Sequence, residues 1–222
     1  MRRWDYKTLL LNKINLYNYN KPMRTWLNKF QRCPGCWDYL IHLSIKQAVQ
    51  ELNIPKHKVV FITWIWCNSK MSQYLDGYWS ETLHGRGLPF ATGIKLSNPD
   101  LTVISIAWDW DSYGIWLWHL LHTARRNINL VHITCDNENY WLTTGQASPT
   151  TPVDIKTKST PDWNQTRPFD PIWLLKSAWC EFTYSLPDKD MKWLKEKIKE
   201  AILHPWFAHI DVKQQCPSRK VW

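Results

Sequence analysis

Apolar and polar positions follow two rhythms along this chain. From Asp38 to Leu52 the apolar residues Leu40, Leu43, Ala48 and Leu52, with Ile41 and Ile45 beside them, recur at helical spacing, and Pro55 closes the segment. Lys58 to Thr63 is instead a short β-branched run, the mark of a buried strand. The pair then repeats. A helix over 86–97 ends at Asn98-Pro99 and precedes a strand, Leu101 to Ala107. A helix over 112–126, with Arg125 and Arg126 where cations suit the helix dipole, precedes a strand from Asn129 to Cys135. Helix and strand three times over predict an α/β fold, a parallel sheet flanked by helices with right-handed crossovers. Residues 145–171, rich in Thr and Pro, predict a surface excursion. Helices over 172–180 and 188–203 and a strand from Ala208 to Val212 complete the order, with no internal repeat.

Composition changes this picture at three points. The 222 residues, 44% hydrophobic and 21% charged, suit a folded core and exclude wholesale disorder. No apolar run reaches the ~18 residues of a membrane span and no signal-peptide core precedes Asn12, so the expected compartment is the cytoplasm. There, cysteines more often bind metals or react than form disulfides. The net charge of +9 is concentrated in residues 1–32, where eight basic residues face Asp5 alone. This basic N-terminal arm reads most simply as a solvated extension, and no nucleic-acid motif accompanies it. Finally, the chain has 17 Trp and only 7 Gly, where ordinary usage would give roughly 16 Gly.

In parallel sheets ligands bind at the carboxyl ends of strands. Cys67 follows the first predicted strand, Asp109 and Asp111 the second, and Asp136-Asn137-Glu138-Asn139 the third. Asp109 and Asn137 are oxygen donors suited to one hard cation such as Mg²⁺, although Asp and Asn after strands are commonly turn formers or caps. Cys33-Pro34-Gly35-Cys36, Cys67 and Cys216 offer four thiolates, enough for a [4Fe–4S] cluster or a structural zinc. Cys135 and Cys180 read as buried packing residues.

These residues, with Thr82-Leu-His-Gly-Arg86, Ala91 to Asp100, His122 to Ile128, Gly145-Gln-Ala-Ser-Pro149 and Gln215-Cys-Pro217, resemble the beta subunit of 2-oxoacid:ferredoxin oxidoreductases over roughly residues 30–218. The resemblance implies a thiamine-diphosphate-binding fold of the pyrimidine/diphosphate type over 33–218. It implies oxidative decarboxylation of a 2-oxoacid, such as 2-oxoglutarate or pyruvate, to an acyl-CoA, with electrons passing through a [4Fe–4S] cluster to ferredoxin. The implied cofactors are thiamine diphosphate, Mg²⁺ and the cluster. The implied partner is an alpha, or alpha and gamma, subunit, which supplies the activating glutamate, and no catalytic residue is assigned in this chain. Carried over by position, Cys33, Cys36, Cys67 and Cys216 hold the cluster. Asp109, Asn137 and Asn139, the last through its backbone carbonyl, hold Mg²⁺. Ile65, Trp66, Cys67, Asn68, Thr82, Leu83, His84, Trp110, Asp111, Trp141 and Leu142 line the cofactor. The chain ends soon after Cys216, where family members continue, which suggests truncation.

One departure from the family pattern is systematic. Trp37, Trp64, Trp66, Trp79, Trp108, Trp110, Trp116, Trp118, Trp141, Trp163, Trp173, Trp179 and Trp206 stand at glycine-like positions. Trp64-Ile-Trp66-Cys67 and Trp108-Asp-Trp110-Asp111 are the clearest cases. Returning these thirteen to glycine makes both counts ordinary, as if UGA codons had been read as Trp where the source organism reads Gly. A non-catalytic iron–sulfur or scaffold paralogue is the alternative if the tryptophans are genuine. An aromatic-rich carbohydrate- or nucleic-acid-binding protein would need them exposed, whereas the pattern puts most in buried turns. His84 is a pocket donor or a turn residue, with its context favouring the pocket. His119 and His122 read as packing and capping residues, and Thr143 and Thr144 as diphosphate donors or turn formers.

Overall fold

The computed structural model describes residues 35–140 and 145–216. In chain order the principal elements are α1 (Asp38–Glu51), β1 (Val59–Thr63), a single turn α2 (Trp66–Ser69), β2 (Tyr78–Glu81), α3 (Gly87–Ser97) and β3 (Thr102–Trp108). A π-helical turn (Trp110–Ile115) then leads into α4 (Leu117–Arg125). After it come β4 (Val131–Asp136), the short pair β5 (Asn139–Tyr140) and β6 (Gln146–Ala147), α5 (Pro171–Ser177), β7 (Phe182–Pro187), α6 (Met191–Leu203) and β8 (Ala208–Lys213). Among the described residues six strands form one sheet in the order β2-β1-β3-β4-β8-β7, with every neighbouring pair parallel.

Burial on both faces explains the near-continuous apolar strands. Val59 and Phe61 of β1, Ile104 and Ile106 of β3, Ile133 of β4 and Ile210 of β8 pack with Ile41 and Ile45 of α1 and Leu194 and Ile198 of α6. Val60 and Ile62, one residue out of phase, pack on the other face with Leu88 and Ile94 of α3, Leu120 of α4 and Leu175 of α5. The side-chain period of two thus divides each strand between two helical layers.

The expected parallel α/β sheet is present, with four differences of detail. Two strands of the six-stranded sheet went unread, as did the short β5–β6 pair. β2 is short and half-exposed, and β7 ends in Pro187, both at sheet edges where an apolar run is not required. The helix expected over 112–126 opens as the π turn and becomes α-helical only at Leu117. The helix expected over 172–180 stops at Ser177. The 145–171 segment runs over the surface, with residues 165–170 exposed, but it is anchored: Ser148, Thr150, Thr151, Thr157 and Asn164 are buried. The Asn164 amide donates to the carbonyls of Thr151, Pro152 and Thr166 at 2.9, 3.0 and 3.2 Å, supplying the order that regular structure would otherwise give.

Candidate cofactor site

The strand order reverses between β1 and β3: the chain leaves β1 for β2 on one side and returns to place β3 on the other. Such a switch point opens a crevice at the carboxyl ends of the two strands. Residues 64–68 follow β1 there, and residues 109–111 follow β3. Thr82 joins the rim, its amide and hydroxyl both donating to the Thr63 carbonyl, at 2.9 and 3.2 Å. The next residue but one, His84, places Nδ1 2.6 Å from Asp111 Oδ1, which also accepts the Gly85 amide. Position 85 admits only glycine: its φ is +74°, and a Cβ there would lie 1.2 Å from Trp116 Cδ1. Burial pushes the Asp111 carboxyl up to about 6 despite the His84 contact, which pulls it down.

Asp109 is fully buried at the end of β3. Its Oδ2 lies 3.0 Å from the Thr150 hydroxyl, which is also 2.7 Å from Asp136 Oδ1 at the end of β4. One hydroxyl proton cannot serve two carboxylates at once. Burial first, and the Asp136 charge second, push the Asp109 carboxyl well above its ordinary value. Two tight turns shape the loop after β4, with the Glu138 amide donating to Asp136 Oδ1 and the Asn139 amide to Asn137 Oδ1, both at 3.1 Å. Glu138 sits at φ 56°. Asn68 Oδ1, Asp109 Oδ1 and Asn139 Oδ1 are buried acceptors with no hydrogen-bond donor. Oxygen acceptors left bare beside a buried carboxylate suit a hard cation. Of the expected Mg²⁺ ligands, Asp109 offers a bare buried oxygen, Asn137 Oδ1 already accepts the Asn139 amide, and the bare atom of Asn139 is its side-chain oxygen, not the backbone carbonyl that the resemblance names.

Thiamine diphosphate does not fit the residues present. Trp64 and Trp110 are 1% and 4% exposed, with ring centroids 4.7 Å apart. His84 packs 4.3 Å from Trp64 and 5.0 Å from Trp110, and Tyr140 lies 4.8 Å from Trp110. The rings touch one another across the space that the resemblance gives to the cofactor. Of its other expected lining residues, Ile65 and Cys67 are half-buried, Asn68 is buried and Leu83 is 77% exposed. Trp141, Leu142, the Trp66 side chain, Thr143 and Thr144 lie outside the described residues. Trp108 is buried in the core. The expectation that most tryptophans are buried is corrected by Trp118, Trp163, Trp173, Trp179 and Trp206, all exposed.

Cys36, Cys67 and Cys216 are half-buried, and Cys33 lies outside the described residues. Trp37, next to Cys36, and Cys216 line one cavity of about 770 Å³ together with Asp136, Asp188 and Lys213. No group of three His, Cys, Asp or Glu side chains gathers in metal-holding geometry among the described residues. Cys135 and Cys180 are buried, as expected of packing residues, and burial pushes the Cys180 thiol up to about 12. His119 stacks on Trp116 at 5.0 Å and His122 leans on Trp118 at 6.5 Å, both packing roles.

Sequence reasoning missed Thr150 and a polar layer beneath the site. β4 and β8 carry His132 opposite His209 and Thr134 opposite Asp211, all buried on the α4 face. The Tyr113 hydroxyl donates to Asp211 Oδ1 at 2.8 Å, and Ser185 donates to Oδ2 at 3.0 Å. Lys213 bridges Asp136 and Asp211. Burial alone would lower the Lys213 ammonium, but Asp211 and Asp136 together carry it up. The polar residues alternating with apolar ones in Val131-His-Ile-Thr-Cys-Asp136 and Ala208-His-Ile-Asp-Val-Lys213 were the available signal.

Residues 54–212 match the family model of the thiamine pyrophosphate enzyme, C-terminal TPP binding domain. The beta subunit of 2-oxoacid:ferredoxin oxidoreductase from Saccharolobus solfataricus is 44% identical over 188 residues, 84% of this chain and 62% of that protein. The KorB subunit of 2-oxoglutarate oxidoreductase from Mycobacterium tuberculosis is 38% identical over 185 residues, 83% of this chain and 50% of that one. The KorB subunit of 2-oxoglutarate synthase from Archaeoglobus fulgidus is 36% identical over 85% of this chain and 70% of its own. The chain thus spans between half and two thirds of the first two relatives. A solved 2-oxoglutarate:ferredoxin oxidoreductase from Magnetococcus marinus, with 2-oxoglutarate, coenzyme A and succinyl-CoA bound, superposes with a TM-score of 0.82 at 33% identity, covering 91% of this chain and 67% of that one. With the switch-point crevice and its buried carboxylates, these likenesses place the chain among the thiamine pyrophosphate enzymes, in the family of 2-oxoacid:ferredoxin oxidoreductase beta subunits.

Proposed function

We propose that this chain, with glycine at the thirteen tryptophan positions, works as the beta subunit of a heteromeric enzyme that oxidatively decarboxylates a 2-oxoacid to an acyl-CoA and reduces ferredoxin. The observation that carries this reading is the set of bare buried acceptor oxygens on Asn68, Asp109 and Asn139, which follow the neighbouring strands β1, β3 and β4 of one sheet. Asp109, Asn137 and Asn139 would hold Mg²⁺, which would neutralise the buried charge and bind a cofactor diphosphate. Cys33, Cys36, Cys67 and Cys216 would hold a [4Fe–4S] cluster, giving electrons a path outward. Thiamine diphosphate, the alpha subunit, CoA and ferredoxin complete the reading, and the cytoplasm is its compartment. No helix among the described residues is long and apolar enough to cross a membrane. The reading extends to the thirteen tryptophans: they stand for glycine, encoded by UGA in the source organism.

The test is anaerobic co-expression of the glycine form with its alpha subunit. Iron and sulfide analysis should show a cluster that Cys33→Ser removes, and the complex should reduce a viologen dye only with a 2-oxoacid and CoA. Zinc in place of iron, or a cluster indifferent to Cys33→Ser, would reject the cluster assignment. A second reading, a non-catalytic paralogue, draws on the packed indoles at the crevice. UGG rather than UGA codons at 37, 64, 66, 108 and 110 would favour it.

A further inference from the structure

We infer that the indoles of Trp64 and Trp110 form a plug in a chamber built for a polar ligand, and that residues 64, 110 and 179 occupy glycine positions. The inference rests on the cofactor reading above for the ligand's identity, but not for the existence of the chamber.

Trp64 is the first residue after β1 and Trp110 the second after β3, so the two indoles meet across the switch point. Both indoles belong to the main apolar core, with Phe61, Met71 and Ile104, yet polar groups that follow the same two strands lack partners. Trp64 Nε1 is buried with no acceptor, while Asn68 Oδ1 and Asp109 Oδ1 are buried with no donor. A wall evolved to pack against indole would leave few such groups, because each buried unpaired polar atom is destabilising. A chamber whose polar lining awaits a ligand, and which is filled instead by two aromatic side chains, leaves atoms of this kind unpaired, as buried polar atoms elsewhere in the described residues also are. The neighbours agree: His84 and Asp111 are paired with each other at the rim, and Tyr140 lies on the far side of Trp110.

A second observation, remote from the chamber, shows tryptophan at a backbone position that calls for glycine. Helix α5 ends in a Schellman motif: the Cys180 amide donates to the Leu175 carbonyl at 2.9 Å and the Trp179 amide to that of Lys176 at 3.0 Å. The residue between these bonds must be left-handed, and Trp179 has φ +60°. Its indole is 73% exposed, so no packing offsets the strain. Steric demand on side-chain volume at 64 and 110, and on backbone dihedral at 179, are different requirements, and glycine alone meets both.

The full chain as translated, Trp64→Gly/Trp110→Gly and Trp179→Gly are compared by calorimetry and thermal melting. The probes are thiamine diphosphate with Mg²⁺, and free indole. The chain as translated should take up neither. The double variant should gain both, with thiamine diphosphate requiring Mg²⁺ and competing with indole. Trp179→Gly should melt higher by roughly 2–8 °C without gaining either ligand. Where the double variant is unfolded by circular dichroism, Trp64→Ala/Trp110→Ala is the alternative and should gain indole. Thiamine diphosphate binding by the chain as translated, or a folded double variant that takes up neither ligand, would overturn the plug. An unchanged or lower melting temperature for Trp179→Gly would overturn the glycine assignment at 179. Indole uptake without thiamine diphosphate supports the plug and rejects the cofactor reading instead.

Discussion

Thr150 carries one hydroxyl proton between two buried carboxylates, at 3.0 Å from Asp109 and 2.7 Å from Asp136. Thr150→Val should cost about 1–3 kcal/mol, because buried Asp109 loses the hydroxyl that faces its Oδ2, while Asp136 Oδ1 keeps the Glu138 amide. The midpoint of urea unfolding measures this, and Thr150→Ser should recover most of it. Asp109 and Asn137 were legible in the sequence because strand ends are, and strands announce themselves by their apolar runs. Thr150 was not, because its partner Asp109 lies 41 residues earlier and nothing local links them. His132 makes a second residue-scale case. Burial lowers its imidazole to about 3, far below the ordinary 6.5. Between those values the unfolded chain binds a proton that the folded chain refuses, so this residue's contribution to stability falls as the pH drops through that window. The slope approaches about 1.4 kcal/mol per pH unit. Asp211, raised to about 6 by burial, works in the opposite direction. The informative measurement is therefore the difference between the native chain and His132→Asn, whose unfolding free energy should depend less steeply on pH between 3 and 6.5.

At the scale of elements, helices with one apolar stripe were read correctly and irregular turns were not. Helix α6 shows why. Asp190 caps it by accepting the Trp193 amide at 2.9 Å, and its Leu194 and Ile198 face Ile41 and Ile45 of α1 in the core. Leu194→Ala should cost roughly 2–5 kcal/mol, read by thermal melting, whereas the ion pairs of Lys195 and Lys199 with Glu51 lie at the surface and should matter little. The π turn after Asp109 has no such signature. Residues 110–115 contain no period that separates the turn from α4, and distant partners hold it: β8 for Tyr113, His132 for Ser112, and His84 for Asp111.

For the whole molecule, the sheet's two helical layers followed from composition and rhythm, but the distribution of tryptophan did not. Trp118, Trp163, Trp173, Trp179 and Trp206 add large apolar side chains to the surface, where glycine would add none. The chain as translated should therefore self-associate at concentrations where the thirteen-glycine form scatters light as a single species. Static light scattering across a dilution series checks this. The strand order has a consequence for how such a chain is made. β8 is the last strand among the described residues, yet it sits inside the sheet, bonded to β4 and β7. On a ribosome, β4 emerges long before the strand that must cover its edge. During that interval the nascent chain offers an unpaired parallel edge to chaperones and to its neighbours on the same message. The arrival of Ala208–Lys213 joins β7 to β4 and turns a collection of βα units into one continuous sheet.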